Sequence, residues 1–197
     1  MSCSGLAIMM GAGGPDWGIE MSEQLATDLG HLVEELAKEA RPTEPANLAR
    51  LGEQVASLFK AKPDEVAVLA LTGQDKFLKF IIPEKLQAIG TLPMTSTSAL
   101  AVRTVREKRP ELFNNFAGTR HATVFEGVPL GRRHDEPIQK LMSAPIFVED
   151  KVIGVVQISR KGRTSAEAGP DFTQQDLRLL VSITGALAAF IKLCKVS

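Results

Sequence analysis

Two apolar stretches joined by three polar residues constrain this chain more than any other feature. "IQKLMSAPIFV", Ile138 to Val148, and "VIGVVQISR", Val152 to Arg160, have the length and the β-branched content of strands. Glu149-Asp150-Lys151 between them leaves room only for a tight turn. Strands joined that way run antiparallel, because a parallel return needs a crossover of a dozen residues or more. A second pair stands earlier in the chain. "EVAVLAL", Glu65 to Leu71, is apolar at every second position on both sides, as an interior strand covered on each face must be, and Thr72-Gly73-Gln74-Asp75 turns it into "KFLKFIIP". Phe113 begins a further short strand.

The remaining elements read as helices. Met21, Leu25, Leu29, Leu32 and Leu36 line one face of a first helix that Pro42 and Pro45 break; Leu48, Leu51, Val55, Leu58 and Phe59 line a second that ends at Lys62-Pro63-Asp64. Thr95-Ser96-Thr97-Ser98 offers caps for a third helix, "ALAVRTVREKRP", closed by Pro110. From Thr173 to about Lys195 a closing helix carries two apolar stripes, Leu180, Ile183, Leu187 and Phe190 on one side and Leu177, Val181, Ala188 and Ile191 on the other, so it needs two partners. Ala117 to Pro137 has no steady period and reads as a long loop.

Composition narrows the function classes. The 197 residues carry 23 basic and 23 acidic side chains, a balance that speaks against a nucleic-acid partner or an anionic membrane surface. No run is long enough to span a bilayer, and Leu6 to Met10 lacks the basic residues of a signal peptide. Cys3 and Cys194, near opposite ends, make no C-x-x-C pair, which points to a reducing, cytoplasmic setting. Gly11, Gly13, Gly14 and Pro15 mark residues 1–20 as a flexible arm or extension ahead of a single domain over 21–197.

The order helix, helix, hairpin, capped helix, loop, hairpin, helix resembles a GAF domain over roughly Ala46 to Ile191. The specific part is "LMSAPIFVEDKVIGVVQISRKG" followed by "FTQQDLRLLVSITGALAAFI", which is similar to that family's last hairpin and closing helix; "SALAVRTVREKRPELF" is similar to its middle helix and following strand. The resemblance implies an α+β fold, PAS-related, with a central antiparallel sheet of about six strands, the N- and C-terminal helices on one face and the pocket helix and loops on the other. Members that bind cyclic nucleotides carry N-K and F-x-x-x-D-E near this point. Lys161, Phe172 and Asp176 match, whereas Arg160 and Leu177 depart from the pattern. The Lys and Asp of that motif imply a tie between loop and helix. Thr173 and Asp176 also have capping-box spacing, so this stretch reads as a cap and clasp, with a phosphate cradle as the alternative. Neither a bilin-binding cysteine between Thr95 and Pro137 nor the several cysteines of the free methionine sulfoxide reductase branch is present.

In that fold the pocket is roofed by the middle helix and the long loop, which places Thr95, Ser96, Thr97, Ser98, Arg120, His121 and Arg132 at its mouth. Arginine forks and hydroxyls at a helix start suit a small anionic ligand. The competing reading is a self-paired, solvated cluster at Arg132-Arg133-His134-Asp135-Glu136. His121 and His134 lack the spacing and support of a metal site, and no nucleophile and base stand together as catalysis would need. The expectation is a non-enzymatic sensor that binds a small molecule, with no cofactor specified, and signals through a partner protein in trans. The alternative is a dimerisation or protein-interaction module without a ligand. The first helix can cover part of the closing helix's second stripe through Leu25, Leu29, Leu32 and Leu36, but its own Ala26, Gly30, Val33 and Ala37 would still face water, which predicts a homodimer through the N- and C-terminal helices; the competing reading is that the two helices cover each other.

Overall fold

The computed structural model describes residues 17–116 and 136–194. The chain starts with α1 (Trp17–Ala37) and α2 (Pro45–Leu58), continues through β1 (Val66–Thr72), β2 (Phe77–Ile82), β3 (Thr91–Pro93), α3 (Leu100–Glu107) and β4 (Glu111–Phe113), and ends with β5 (Ile138–Val148), β6 (Lys151–Lys161), α4 (Gln174–Ser182) and α5 (Thr184–Leu193). Six strands form one antiparallel sheet in the order β3-β2-β1-β6-β5-β4. The two hairpins thus lie side by side, with β1 and β6 at the centre where both faces are covered.

Alternation along the central strands sorts the core into two layers. Val66, Val68 and Ala70 of β1, Met142, Ala144 and Ile146 of β5, and Val156 and Ile158 of β6 meet Leu29 and Leu36 of α1, Leu51 and Val55 of α2, and Leu180, Leu187 and Phe190 of the closing helices. The intervening residues, Ala67, Leu69 and Val155, meet Leu78 and Phe80 of β2 and Ala101 and Val102 of α3 on the opposite face. All four N- and C-terminal helices therefore share one face and α3 has the other, as the sequence predicts. Gly154 lets α5 lie close: a Cβ there would run into the Leu69 carbonyl oxygen and stand 2.8 Å from Ile191 Cδ1. Pro145 is tolerated in β5 because β4 pairs only as far as Ser143, leaving β5 an edge strand at that point.

Several boundaries differ from the sequence reading. α1 starts at Trp17, not Met21, so the last four residues assigned to the arm are helical, while residues 1–16 lie outside the described residues. The chain between β2 and α3 is a 3-10 helix (Glu84–Ile89) and the edge strand β3, which was too short to show a period. β4 ends at Phe113 instead of starting there. The closing helix is interrupted at Ile183: Ser182 and Thr184 turn their hydroxyls back onto the Leu179 and Val181 carbonyls at 2.9 and 2.8 Å, competing with the helical ladder.

Candidate functional site

The α3 face of the sheet is mostly apolar, and its polar residues gather along one row with Ser159 beside it. Register places Glu111, Ser143, Gln157 and Ala67 side by side across β4, β5, β6 and β1. α3 lies over this row and meets it with two consecutive polar residues. Arg103 grips Glu111 with both prongs, Nε to Oε2 at 3.0 Å and an η-nitrogen to Oε1 at 2.9 Å, while stacking 5.3 Å above the Phe113 ring. Thr104, fully buried, bonds to the Leu100 carbonyl at 3.0 Å and lies 2.7 Å from Ser143 Oγ. Gln157 Nε2 donates to the same Ser143 oxygen at 3.2 Å, and Gln157 Oε1 is buried without a donor among the described residues. Two residues along β6, on the same face, Ser159 donates to the Glu65 carbonyl at 3.1 Å.

This polar seam divides the apolar residues beneath α3. Leu100, Phe116, Ile138 and Leu141 cluster on one side of it, and Ala67, Leu69, Ala101 and Val155 belong to the separate cluster on the other. Thr104, Ser143 and Gln157 are not among the site residues expected from the sequence. The available signal was Ser143 and Gln157 standing at cross-strand positions inside otherwise apolar strands.

Of the residues expected at the pocket mouth, Thr95 to Ser98 form the turn entering α3 without capping it as proposed. Ala99 is the N-cap, and the Ser96 hydroxyl accepts from the Ala99 N–H at 3.3 Å, one residue ahead of the helix. Thr95 and Thr97 are exposed, and Arg106 reaches back to the Met94 carbonyl to hold the turn. Arg120, His121 and Arg132, together with Arg133 and His134, lie outside the described residues. The described ends of the segment are tied to the sheet: Phe116 N–H donates to the Gln139 carbonyl at 2.7 Å, and Gly162 N–H to that of Pro137 at 3.2 Å. At the opposite end of α3 an open cleft of about 540 Å³ runs between Val105, Lys108 and the β5–β6 turn, with Lys151 paired to Asp75 at 2.7 Å across it.

The stretch after β6 is a cap, but its clasp is not the one expected. Thr173 Oγ1 accepts from Asp176 N–H at 3.1 Å while Asp176 accepts from Thr173 N–H at 2.7 Å, completing the box. Lys161, however, does not reach Asp176. It donates to the Asp64 carbonyl at 2.7 Å, and its backbone N–H donates to Glu65 Oε1 at 2.8 Å, because β6 ends beside the 3-10 turn that precedes β1. The loop is held instead through Phe172. Both backbone groups of Phe172 bond to the Asn114 carboxamide at 2.9 Å, its ring lies 4.6 Å beneath the Arg160 guanidinium, and buried Lys140 pairs with the adjacent Asp171 at 2.7 Å. Lys140 and Lys161 are therefore engaged by this chain's own acidic residues, which weakens the phosphate-cradle alternative.

Among the described residues no group of three or more His, Cys, Asp or Glu is placed to hold a metal ion. Burial pushes the Cys194 thiol up to about 11, away from nucleophilic reactivity. No helix among the described residues is long and apolar enough to cross a membrane.

A family model described as "GAF domain" matches residues 26–192. No curated protein matches the sequence. Among solved structures, the chain is similar to the GAF domain from an Acinetobacter phosphoenolpyruvate-protein phosphotransferase, at 14% identity and a TM-score of 0.60 over 88% of this chain and 94% of that one. It is also similar to the A. aeolicus nlh2 GAF domain, at 13% identity and 0.57 over 90% and 99%. A third is the free methionine-R-sulfoxide reductase from Neisseria meningitidis, solved with its substrate, at 14% and 0.55 over 94% and 95%. At these identities the likeness shows the fold alone.

Proposed function

From the fact that this chain belongs to the GAF domain family, generally one of ligand-binding signalling modules, we propose that it is a sensor that binds a small molecule on the α3 face of its sheet and passes the change to a partner protein, without catalysis. The observation that carries this reading is the buried seam of Thr104, Ser143 and Gln157. A face whose only task was to pack α3 would need no such row, since polar groups placed in a core cost stability unless every one is satisfied. The mouth residues belong to the proposal: Thr95 to Ser98 at the entry to α3, with Arg120, His121 and Arg132 favouring a ligand that bears an anionic group.

The test is a thermal-shift screen of nucleotides, amino acids and small carboxylates, since a ligand of the folded state raises the melting temperature by mass action. A hit that loses affinity in Arg120→Ala or Arg132→Ala supports the anionic mouth. No hit in any class removes the sensor reading.

A second reading, a homodimer through the terminal helices, rests on less surface than the sequence suggests. Val33, Ala188 and Ile191 are already buried within one chain, because α1 packs directly against α5; the two helices largely cover each other. Among the described residues of the two stripes, Val181, 43% exposed, with Leu177, Ala26, Gly30 and Ala37, is what remains for a second copy. Val33→Glu would therefore unfold the monomer instead of splitting a dimer, and Val181→Glu in sedimentation is the informative change.

A further inference from the structure

The hydrogen bonds of the buried seam have a direction, and that direction decides which end of the Gln157 carboxamide is left over. Three contacts run in series: Gln157 to Ser143, Ser143 to Thr104, and Thr104 to the Leu100 carbonyl. Each needs one proton. The carbonyl oxygen has none, so Thr104 supplies it there. A hydroxyl carries a single proton, so Ser143 must donate to Thr104 and can only accept from Gln157. The group that Gln157 presents to Ser143 is therefore its NH2. Turning the amide over would leave two protons for three contacts and set a pair of bare oxygens against each other. An amide's orientation usually has to be assigned from its network, and here the count of protons assigns it.

Gln157 Oε1 is thus committed as an acceptor. The residue is 2% exposed, and no donor among the described residues reaches that oxygen. Its surroundings are apolar on both sides of the seam, with Leu100 and Leu141 on one and Ala67, Leu69, Ala101 and Val155 on the other. Glu111, the carboxylate in the same row, is already neutralised by Arg103, so no free negative charge in the row invites a cation.

We propose that Gln157 Oε1 is the recognition point for the ligand of this face, and that the ligand presents a neutral N–H or O–H donor from an apolar body. This rests on the reading of the chain as a small-molecule sensor and adds its ligand class. Any anionic group of the ligand lies away from Gln157, because a carboxylate has no proton to give. The donor selectivity follows from geometry: an analogue with an ether oxygen in place of N–H leaves Oε1 buried and unpaired, and sets a second acceptor beside it.

The test uses the full chain, ¹⁵N-labelled, titrated with pyrrole and indole and with their oxygen counterparts furan and benzofuran. The N–H probes are expected to shift the Gln157 side-chain NH2 signals and to bind about tenfold more tightly than their counterparts. Gln157→Met should abolish that preference. Without any probe it should melt within about 5 °C of wild type, because removing the unpaired acceptor offsets the loss of the Nε2–Ser143 bond. Equal binding of both members of each pair overturns the role of Gln157 while leaving the sensor reading intact; so does the absence of binding by any of the four when the nucleotide, amino-acid and carboxylate screen has given a hit. A fall in melting temperature of more than about 5 °C in Gln157→Met also overturns it, since the carboxamide would then be satisfied by bound water and structural.

Discussion

Asn114→Ala should unfasten the loop that leads into α4. Asn114 stands one residue past β4 and 58 residues before Phe172, yet its carboxamide bonds to the Phe172 N–H and carbonyl, each at 2.9 Å, as a neighbouring strand would. Removing it forfeits two bonds worth about 1 kcal/mol each, and the Phe172 backbone is poorly placed to recover them from water because the residue is only 3% exposed. The expected loss is about 2–4 kcal/mol, or roughly 5–15 °C in melting temperature for a chain of this size. Urea denaturation monitored by far-UV circular dichroism reads it directly. Asn114→Asp separates the two bonds. An ionised carboxylate still accepts from the Phe172 N–H but opposes its carbonyl, whereas a protonated one can donate to that carbonyl, so the folded state raises the pKa of the new group above the unfolded value of about 3.9. A group with a raised folded pKa contributes its stability fully below the unfolded value and loses it as pH rises through the folded one. The deficit of Asn114→Asp relative to wild type should therefore widen from about pH 4 upward. A loss under about 0.5 kcal/mol in Asn114→Ala, or a deficit in Asn114→Asp that does not change with pH, would refute the bridge.

Thr173→Ala removes the acceptor for Asp176 N–H and should cost about 0.5–2 kcal/mol in the same denaturation assay, with ligand affinity unchanged. Gly154→Ala forces a methyl against the Leu69 carbonyl and Ile191, so a loss of about 3 kcal/mol or more is expected, visible as a lowered urea midpoint. Cys194, its thiol pushed up from 9.0 to about 11, should alkylate far more slowly at pH 8 in native protein than in urea. The same shift makes the folded protein lose stability as pH rises from the unfolded thiol value through about 11, and Cys194→Ser should flatten that fall.

The strands were legible because their signals are local. Ile138–Val148 follows directly from an apolar run bounded by polar turns, β1 follows to within one residue at each end, and the capping box at Thr173 and Asp176 follows from spacing alone. What escaped was set by tertiary geometry. Three-residue strands such as β3 have no period to detect; they exist because β2 offers an open edge. Lys161 pairs with Asp64 because β6 happens to end beside the turn before β1, a proximity across nearly a hundred residues that no motif encodes. The same holds for the candidate site. Ser143 and Gln157 are ordinary polar residues in sequence, and only the cross-strand register and α3 bring them together beneath Thr104. Periodicity shows that Ala188 and Ile191 need cover, and the first helix supplies it as expected; it could not show that Val33, expected to face water, is buried in the same chain.

The central claim is that a small molecule enters the face of the sheet beneath α3. Hydrogen exchange measured amide by amide, with and without the compound that most raises the melting temperature, tests it most directly. Added protection is expected in α3 and in the segments of β5 and β6 around Ser143 and Gln157, with α1, α4 and α5 changed little. Protection confined to the terminal helices, with α3 and the seam unaltered, would contradict it.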